Sequence, residues 1–402
     1  MNKFDPHKHD KYYKQWKERG CKFKGTTEEN KALLMRFLED MEIGANVNPG
    51  SKKGGRSSAR LRNLKSKMQT LSYLMHRELG IKTLEELEHR ELDLLRFFKK
   101  LKDGAIVLDH HGHKPLTAVG TYVKTLKSFW HWFQRSQKKN GIEVRDVTVD
   151  LDGTDLKPKF NYMTIEQVKL LCNEVSYYYK VLIMFLFDSG IRAPTELMNV
   201  KAGDLEWDEK QGHYTLNIRQ ETSKTFGRRI KLLLSSDIVK EYIQKQKLSN
   251  QEFLFKKTHQ KMNQYLKNYG FKVLKIGSVE NKTFKERSYQ VVRDGISMYD
   301  FRHSSACYWL VRYKSESALK YRFGWKKSEM IHYYTELLGM KDTIQDEDLY
   351  IDVSKTELER QIQEKGREIE IMQERLQDQD NKMKEMMQIL KALQLESMIQ
   401  VQ

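Results

Sequence analysis

Apolar residues recur every three or four positions along most of this chain, and around Lys224 the period changes to two. Leu33, Leu34, Phe37, Leu38 and Met41 share one helical face behind a capping Thr27. Leu61, Leu64, Met68, Leu71, Met75 and Leu79 mark a second helix. Thr83 caps a third through Leu87, Leu95 and Phe98, and Val119, Tyr122, Val123, Leu126, Phe129, Trp130 and Phe133 mark a fourth, from Pro115 to about Gln134. An amphipathic helix must bury its stripe against a neighbour, so residues 26–145 are predicted to close as a small helical bundle. Residues 1–25, rich in Lys, His and aromatics without an apolar period, read as a flexible basic arm able to fold on a partner.

The polar stretch 146–160 links the bundle to a second domain, 161–345. It opens on Thr164 and Gln167, a capping box for a helix to Val175. The apolar run 181–187 ends at Gly190, which suits a helix C-cap and leaves Arg192 on a tight loop. Residues 214–219 and 228–234 read as two strands, with Ser223-Lys224-Thr225-Phe226-Gly227 turning between them. Lys224 thus sits at a hairpin tip. Then Tyr299-Asp300-Phe301-Arg302-His303, Gly324-Trp325 and Tyr333-Tyr334-Thr335 follow one another closely. Arginine offers a planar, permanent charge that fits two phosphate oxygens at once. Tyrosine is an oxygen nucleophile, weak at its free pKa. Together they point to covalent chemistry on a phosphodiester. The fold class expected is mainly α, with a mixed α+β second domain built around a small hairpin.

The charge agrees. A formal +17 suits a polyanionic partner and long-range steering toward it. Residues 352–402 are set apart. Ile362, Ile369, Leu376, Met383 and Leu390 repeat every seven positions, with Leu358, Met372, Met386 and Leu393 in the second register, which Lys365 and Gln379 interrupt. That is the pattern of a coiled coil. It carries 11 acidic and 8 basic side chains, a net −3, so the rest of the chain holds +20. The three cysteines, Cys21, Cys172 and Cys307, form neither a disulfide framework nor a zinc site, and a reduced, cytoplasmic setting is expected. No apolar run reaches membrane-spanning length, and the first residues hold no signal-peptide core. Asp109, His110, His111 and His113 lack a partnering cluster and read as a solvated loop rather than a metal site, as do His7 and His9.

In this order the residues resemble the tyrosine recombinase (phage integrase) family, in a form that looks archaeal or viral. The family's sequence of parts is Arg, hairpin Lys, His-x-x-Arg, His or Trp, then the tyrosine. The motifs cover about residues 160–340, and the helical pattern of 26–145 looks like the family's core-binding domain, a DNA clamp. The resemblance makes Arg192 and Arg302 the phosphate arginines, Lys224 the hairpin lysine and Tyr334 the nucleophile, with Trp325 in the His-or-Trp position. Two positions depart from the pattern. Tyr299 stands where histidine is usual, and Glu196 lies four residues after Arg192 where the family usually shows three.

In that chemistry the arginines stabilise the nonbridging oxygens, Lys224 protonates the leaving 5′ oxygen, and the Trp325 indole donates a hydrogen bond. Tyr334 remains as a 3′-phosphotyrosine, an ester that lets strands rejoin without ATP, and the resemblance implies no metal or cofactor. His303 either assists the nucleophile or bonds within the core. Asp188, Glu196 and Asp204 read as supporting carboxylates near Arg192. Tyr333, about 100° around the helix from Tyr334, is expected to pack into the core. The implied partner is double-stranded DNA, bound by a homo-oligomer, a tetramer on paired sites. Rival readings are a type IB topoisomerase-like nicking and rejoining enzyme, a non-catalytic DNA-binding protein and a coiled-coil scaffold.

Overall fold

The computed structural model describes residues 4–338, apart from 49, 52, 109–113, 156–159, 285, 286 and 314, together with seven helical residues between 369 and 383. It divides into two compact units, Met1–Met330 and Ile331–Gln402. The first unit contains two apolar cores.

The first core, from Tyr13 to Leu151, is helical. It is built from α1 (His9–Glu18), α2 (Glu28–Ile43), α3 (Ser58–Leu79), α4 (Glu91–Lys102) and α5 (Val119–Lys139). Thr27 starts α2 by accepting the Asn30 N–H at 3.3 Å. Buried Asn30 then accepts from the Leu84 backbone at 2.8 Å and donates to the Lys82 carbonyl at 2.9 Å, fixing where the next segment crosses. Phe37, Phe129 and Trp132 pack with centroids 5.2–5.6 Å apart. The Trp132 indole reaches Asp40 at 2.7 Å, so a large ring is buried without orphaning its N–H.

Three sequence expectations need correction here. Residues 1–25 are not wholly an arm: α1 is helical and lays Tyr13 into the bundle core. Its apolar surface comes from aromatics set among lysines, and Lys65 over the Trp16 ring at 5.3 Å shows how those charges are accommodated. The expected third helix is broken in two. Thr83 and Glu86 cap only a 3-10 turn, Leu84–His89, and the Arg90 guanidinium holds the corner through the Leu79 carbonyl (2.7 Å) and Asp93 (2.9 Å). The fourth starts at Val119, because Lys114–Pro115 (β2) pairs instead with Val107–Leu108 (β1).

The second core runs from Met163 to Phe301. In order come α6 (Ile165–Glu174), α7 (Tyr177–Ser189), β3 (Leu205–Asp208), β4 (His213–Ile218), β5 (Arg228–Leu232), α8 (Ser236–Lys245), α9 (His259–Leu274), β6 (Ser278–Phe284), β7 (Arg287–Arg293), α10 (Met298–Leu310) and α11 (Glu316–Phe323). The Thr164–Gln167 capping box is present. Strands β3, β4 and β5 form one antiparallel sheet in that order, Leu216 opposite Ile230. Along β5, Arg228, Ile230 and Leu232 face inward while Arg229 and Lys231 face out. Strand β3 and the β6–β7 ribbon are additions to the single hairpin expected. Helix α10 is buried on almost every side, so whatever it carries is held rigidly.

The second unit begins within α12 (Glu329–Leu337). Most of the coiled-coil expectation for 352–402 lies outside the described residues. Of its heptad positions, Ile369, Met372, Leu376 and Met383 are described, helical and exposed. Among the described residues no helix is long and apolar enough to cross a membrane.

Candidate active site

Helix α7 ends where Gly190 takes φ 58°, releasing the chain into the loop that carries Arg192. A side chain there would meet the Phe323 ring at 2.3 Å, so glycine is required both for the turn and for close packing. The Arg192 guanidinium, 15% exposed, donates to Glu196 Oε1 (2.8 Å), Thr225 Oγ1 (3.3 Å) and the Gly324 carbonyl (2.7 Å). Glu196 receives more than Arg192. Its Oε2 accepts the Arg192 backbone N–H at 2.9 Å and Arg228 Nη2 at 2.8 Å. Its Oε1 accepts Arg228 Nη1 at 3.0 Å and the Ser223 hydroxyl at 3.1 Å. Burial pushes this carboxyl up, but the Arg228 hydrogen bonds and charge, with the Arg192 contacts, outweigh it and hold it at about 2.

Arg302, on the second turn of α10, is buried. It donates to the Gly190 carbonyl and, at 2.7 Å, to the Phe323 carbonyl. Burial, then the charge of Arg192, lowers its pKa to about 10, still charged at neutral pH. Both arginines therefore grip the segment 323–325, where Trp325 stacks on Phe323 at 4.8 Å. The hairpin joins the same segment through Thr225, whose hydroxyl donates to the Gly324 carbonyl at 2.9 Å. Behind them Arg322 pairs with Asp188 at 3.0 Å, and Asp188 also caps α8 through the Leu234 and Ser235 N–H groups.

The charges do not balance. Four guanidiniums (Arg192, Arg228, Arg302, Arg322) share two carboxyl groups, Glu196 and Asp188, so even with both ionised the cluster holds an excess of two positive charges. Held in a low dielectric, such an excess favours an anion arriving between Arg192 and Arg302. Lys224 is exposed on the hairpin turn and has no hydrogen-bond or ion-pair partner among the described residues, which leaves its ammonium available.

The remaining predicted residues lie as follows. Tyr299, in the first turn of α10, is 47% exposed, and its ring meets His303 edge-on at 4.8 Å. His303 is buried and stacked on Phe160 at 4.0 Å; burial drives its pKa down to about 4, so it is a neutral packing ring. Asp204 does not accompany Arg192; it pairs with Arg219 at 3.2 Å. Tyr333 and Tyr334 lie on α12, their rings 5.2 Å apart. The expectation that Tyr333 packs inward is reversed: Tyr334 is 1% exposed and Tyr333 only half-buried. His7 lies in an exposed turn, as expected, whereas His9 opens α1; their rings are tilted with centroids 5.3 Å apart, and His7 also meets His259 edge-on. Residues 109–113 lie outside the described residues; no cluster of His, Cys, Asp or Glu able to hold a metal occurs among those described. Sequence reasoning missed Arg228 and Arg322. The available signal for Arg228 was its inward parity on β5 with Ile230 and Leu232.

Residues 161–341 match the family model described as the phage integrase family. None of the curated proteins compared with the chain matches it. Among solved structures, the XerH site-specific recombinase bound to palindromic difH substrate, a post-cleavage complex, is 13% identical over 75% of this chain and 81% of its own, with a TM-score of 0.51. A lambda integrase dimer bound to a COC′ core site is 14% identical over 78% of this chain and 79% of its own, with a TM-score of 0.50. At these identities the likeness is one of fold. The family match spans Arg192, Lys224, Arg302, Trp325 and Tyr334, and residues 161–341 are thus a domain of the phage integrase family, the tyrosine recombinases.

Proposed function

We propose that this protein is a site-specific DNA recombinase that cuts and rejoins duplex DNA through a 3′-phosphotyrosine on Tyr334. The observation that carries the reading is the buried excess of two positive charges, in which Arg192 and Arg302 are fixed by the carbonyls of Gly190, Phe323 and Gly324 before any substrate arrives. A phosphodiester gains negative charge on its nonbridging oxygens as it is attacked, and donors already in place stabilise that charge without reorganising. Once its side chain, buried in this structure, is freed to reach the phosphate, the Tyr334 oxygen forms the new bond to phosphorus and its proton passes to water. The bond to the 5′ oxygen breaks, and that oxygen takes a proton from Lys224. In reverse, a 5′ hydroxyl of another strand attacks and returns its proton to Lys224, while the phosphorus–tyrosine bond breaks and the tyrosine oxygen takes a proton back from water.

Recombination needs paired sites, and we assign the assembly of several copies to residues 352–402, whose exposed Ile369, Leu376 and Met383 follow a seven-residue repeat. Sedimentation of a chain ending at residue 351 tests this; an unchanged mass would reject it.

The test of the reaction is covalent capture. A duplex pool incubated with the protein, denatured and digested should yield a nucleotide-bearing peptide with the phosphate on Tyr334. Tyr334→Phe should abolish the adduct while binding persists, and Tyr333→Phe should not. A phosphate on Tyr333, or none, would overturn the assignment. Relaxation of any supercoiled plasmid without strand exchange would favour a topoisomerase instead.

A further inference from the structure

Strands β6 and β7 pair without a break from Ser278 opposite Arg293 to Phe284 opposite Arg287. At about 3.4 Å per residue the ribbon is roughly 24 Å long. Almost all its described side chains between Ser278 and Gln290 are exposed. An isolated two-stranded ribbon is marginal in water, and this one gains little by burial beyond Val292 at its base. The base, by contrast, is tightly fitted. A side chain on Gly277 would meet the Arg293 carbonyl at 2.7 Å, and one on Gly295 would meet Val292 at 2.9 Å. Two residues past Gly295, α10 is capped by Ser297 and carries Arg302. The ribbon's tightly fitted base thus lies two residues before the cap of the helix that presents the phosphate arginine.

Its two faces differ in chemistry. Because side chains alternate across a strand, the pairs Val279↔Val292 and Asn281↔Gln290 share one face. That face bears two amides opposite each other, and both are exposed with no hydrogen-bond partner among the described residues. The other face takes Glu280, Lys282, Tyr289 and Arg293, with Glu280 and Arg293 paired at 2.9 Å. From 278 to 293 the sequence has four basic and two acidic residues, a charge suited to a polyanion.

A two-stranded ribbon fits the major groove of B-form DNA, where asparagine and glutamine amides match the adenine edge in two hydrogen bonds. We propose that β6–β7 is a sequence-reading element that enters the major groove beside the cleaved phosphate and reads bases with Asn281 and Gln290. This rests on the chain acting on duplex DNA, as proposed above.

The experiment uses the full chain and a pool of duplexes carrying 40 randomised base pairs, selected by the unaltered protein and by an N281A/Q290A variant. Both substitutions are exposed, so folding should persist, which circular dichroism checks. The expected result is that the variant loses preference at a few adjacent positions of the enriched site and binds it about tenfold to a thousandfold more weakly. Its affinity for a pool of unselected sequence and its salt slope should stay unchanged, since no phosphate contact is removed. The same enriched site at the same affinity would overturn the proposal, as would a changed sedimentation mass, which would make the ribbon a protein interface. If the unaltered protein selects no sequence, the ribbon proposal fails while covalent capture can still succeed. Failure to bind any duplex would sink the recombinase reading itself.

Discussion

Glu196→Gln is the change that probes the buried charge lattice most directly, because it alters one atom and leaves the shape intact. The carboxylate accepts five donors: the Arg192 backbone N–H and guanidinium, two Arg228 nitrogens and the Ser223 hydroxyl. Each oxygen takes at least two of them, so whichever is replaced by an amide NH2, at least two donors face another donor. Arg228 is fully buried and has no water to turn to. Breaking a buried pair from one side costs about 3–5 kcal/mol. An independent route gives a similar figure. Shifting the carboxyl from 4.5 to about 2 corresponds to roughly 3 kcal/mol.

The two figures agree, and together they predict a melting transition lower by roughly 6–20 °C for a domain of this size. The assay is calorimetry of the full chain across pH. A depressed carboxylate contributes its stability fully above about 4.5 and loses it as pH falls through about 2. The unaltered protein should therefore weaken across that window, and the variant should not show that component. A loss under about 1 kcal/mol at neutral pH, with the acid window intact, would refute the reasoning: Arg192 and Arg228 would then be satisfied without Glu196.

His303 is held neutral by burial, with its folded pKa at about 4 against 6.5 for a free ring; the unfolded chain binds its proton first, so stability should fall as pH drops from about 6.5 through 4, and His303→Phe should flatten that stretch in a melting series. Lys224→Ala should slow strand cleavage by roughly a hundredfold or more with little change in binding, and a 5′-bridging sulfur, which leaves without a proton, should restore the rate; no restoration would reassign Lys224 to phosphate binding. Tyr299→Phe should keep measurable cleavage, since the ring is exposed and a phenol is a poor base near neutral pH, whereas Arg192→Ala and Arg302→Ala should abolish it; equal losses in a cleavage assay would give the phenol a proton-transfer role.

The parts of this molecule that were legible in its sequence are those whose cause is local. Thr27, the Thr164–Gln167 box and Gly190 act on groups within four residues, and each ends or begins a helix where its spacing says it must. The hairpin that carries Lys224 announces itself by a change of period. Helix α1 hides because its apolar surface is aromatic and interleaved with lysine, so Tyr13 and Trp16 count for little until α3 supplies the other wall. The β6–β7 ribbon hides for the opposite reason: with both faces in solvent it has no apolar alternation to display. Arg228 and Arg322 are invisible in a deeper sense. An arginine is ordinarily a surface residue, and what makes burial tolerable here lies 32 positions away in Glu196 and 134 positions away in Asp188. Neither pair can be inferred from its neighbours in the chain, yet when both carboxyls are ionised the two together bring the cluster's excess from four positive charges down to two. Motif order named the arginines that can face a phosphate. The strength of the field they share is set by carboxylates and inward strand positions that only the folded chain brings together.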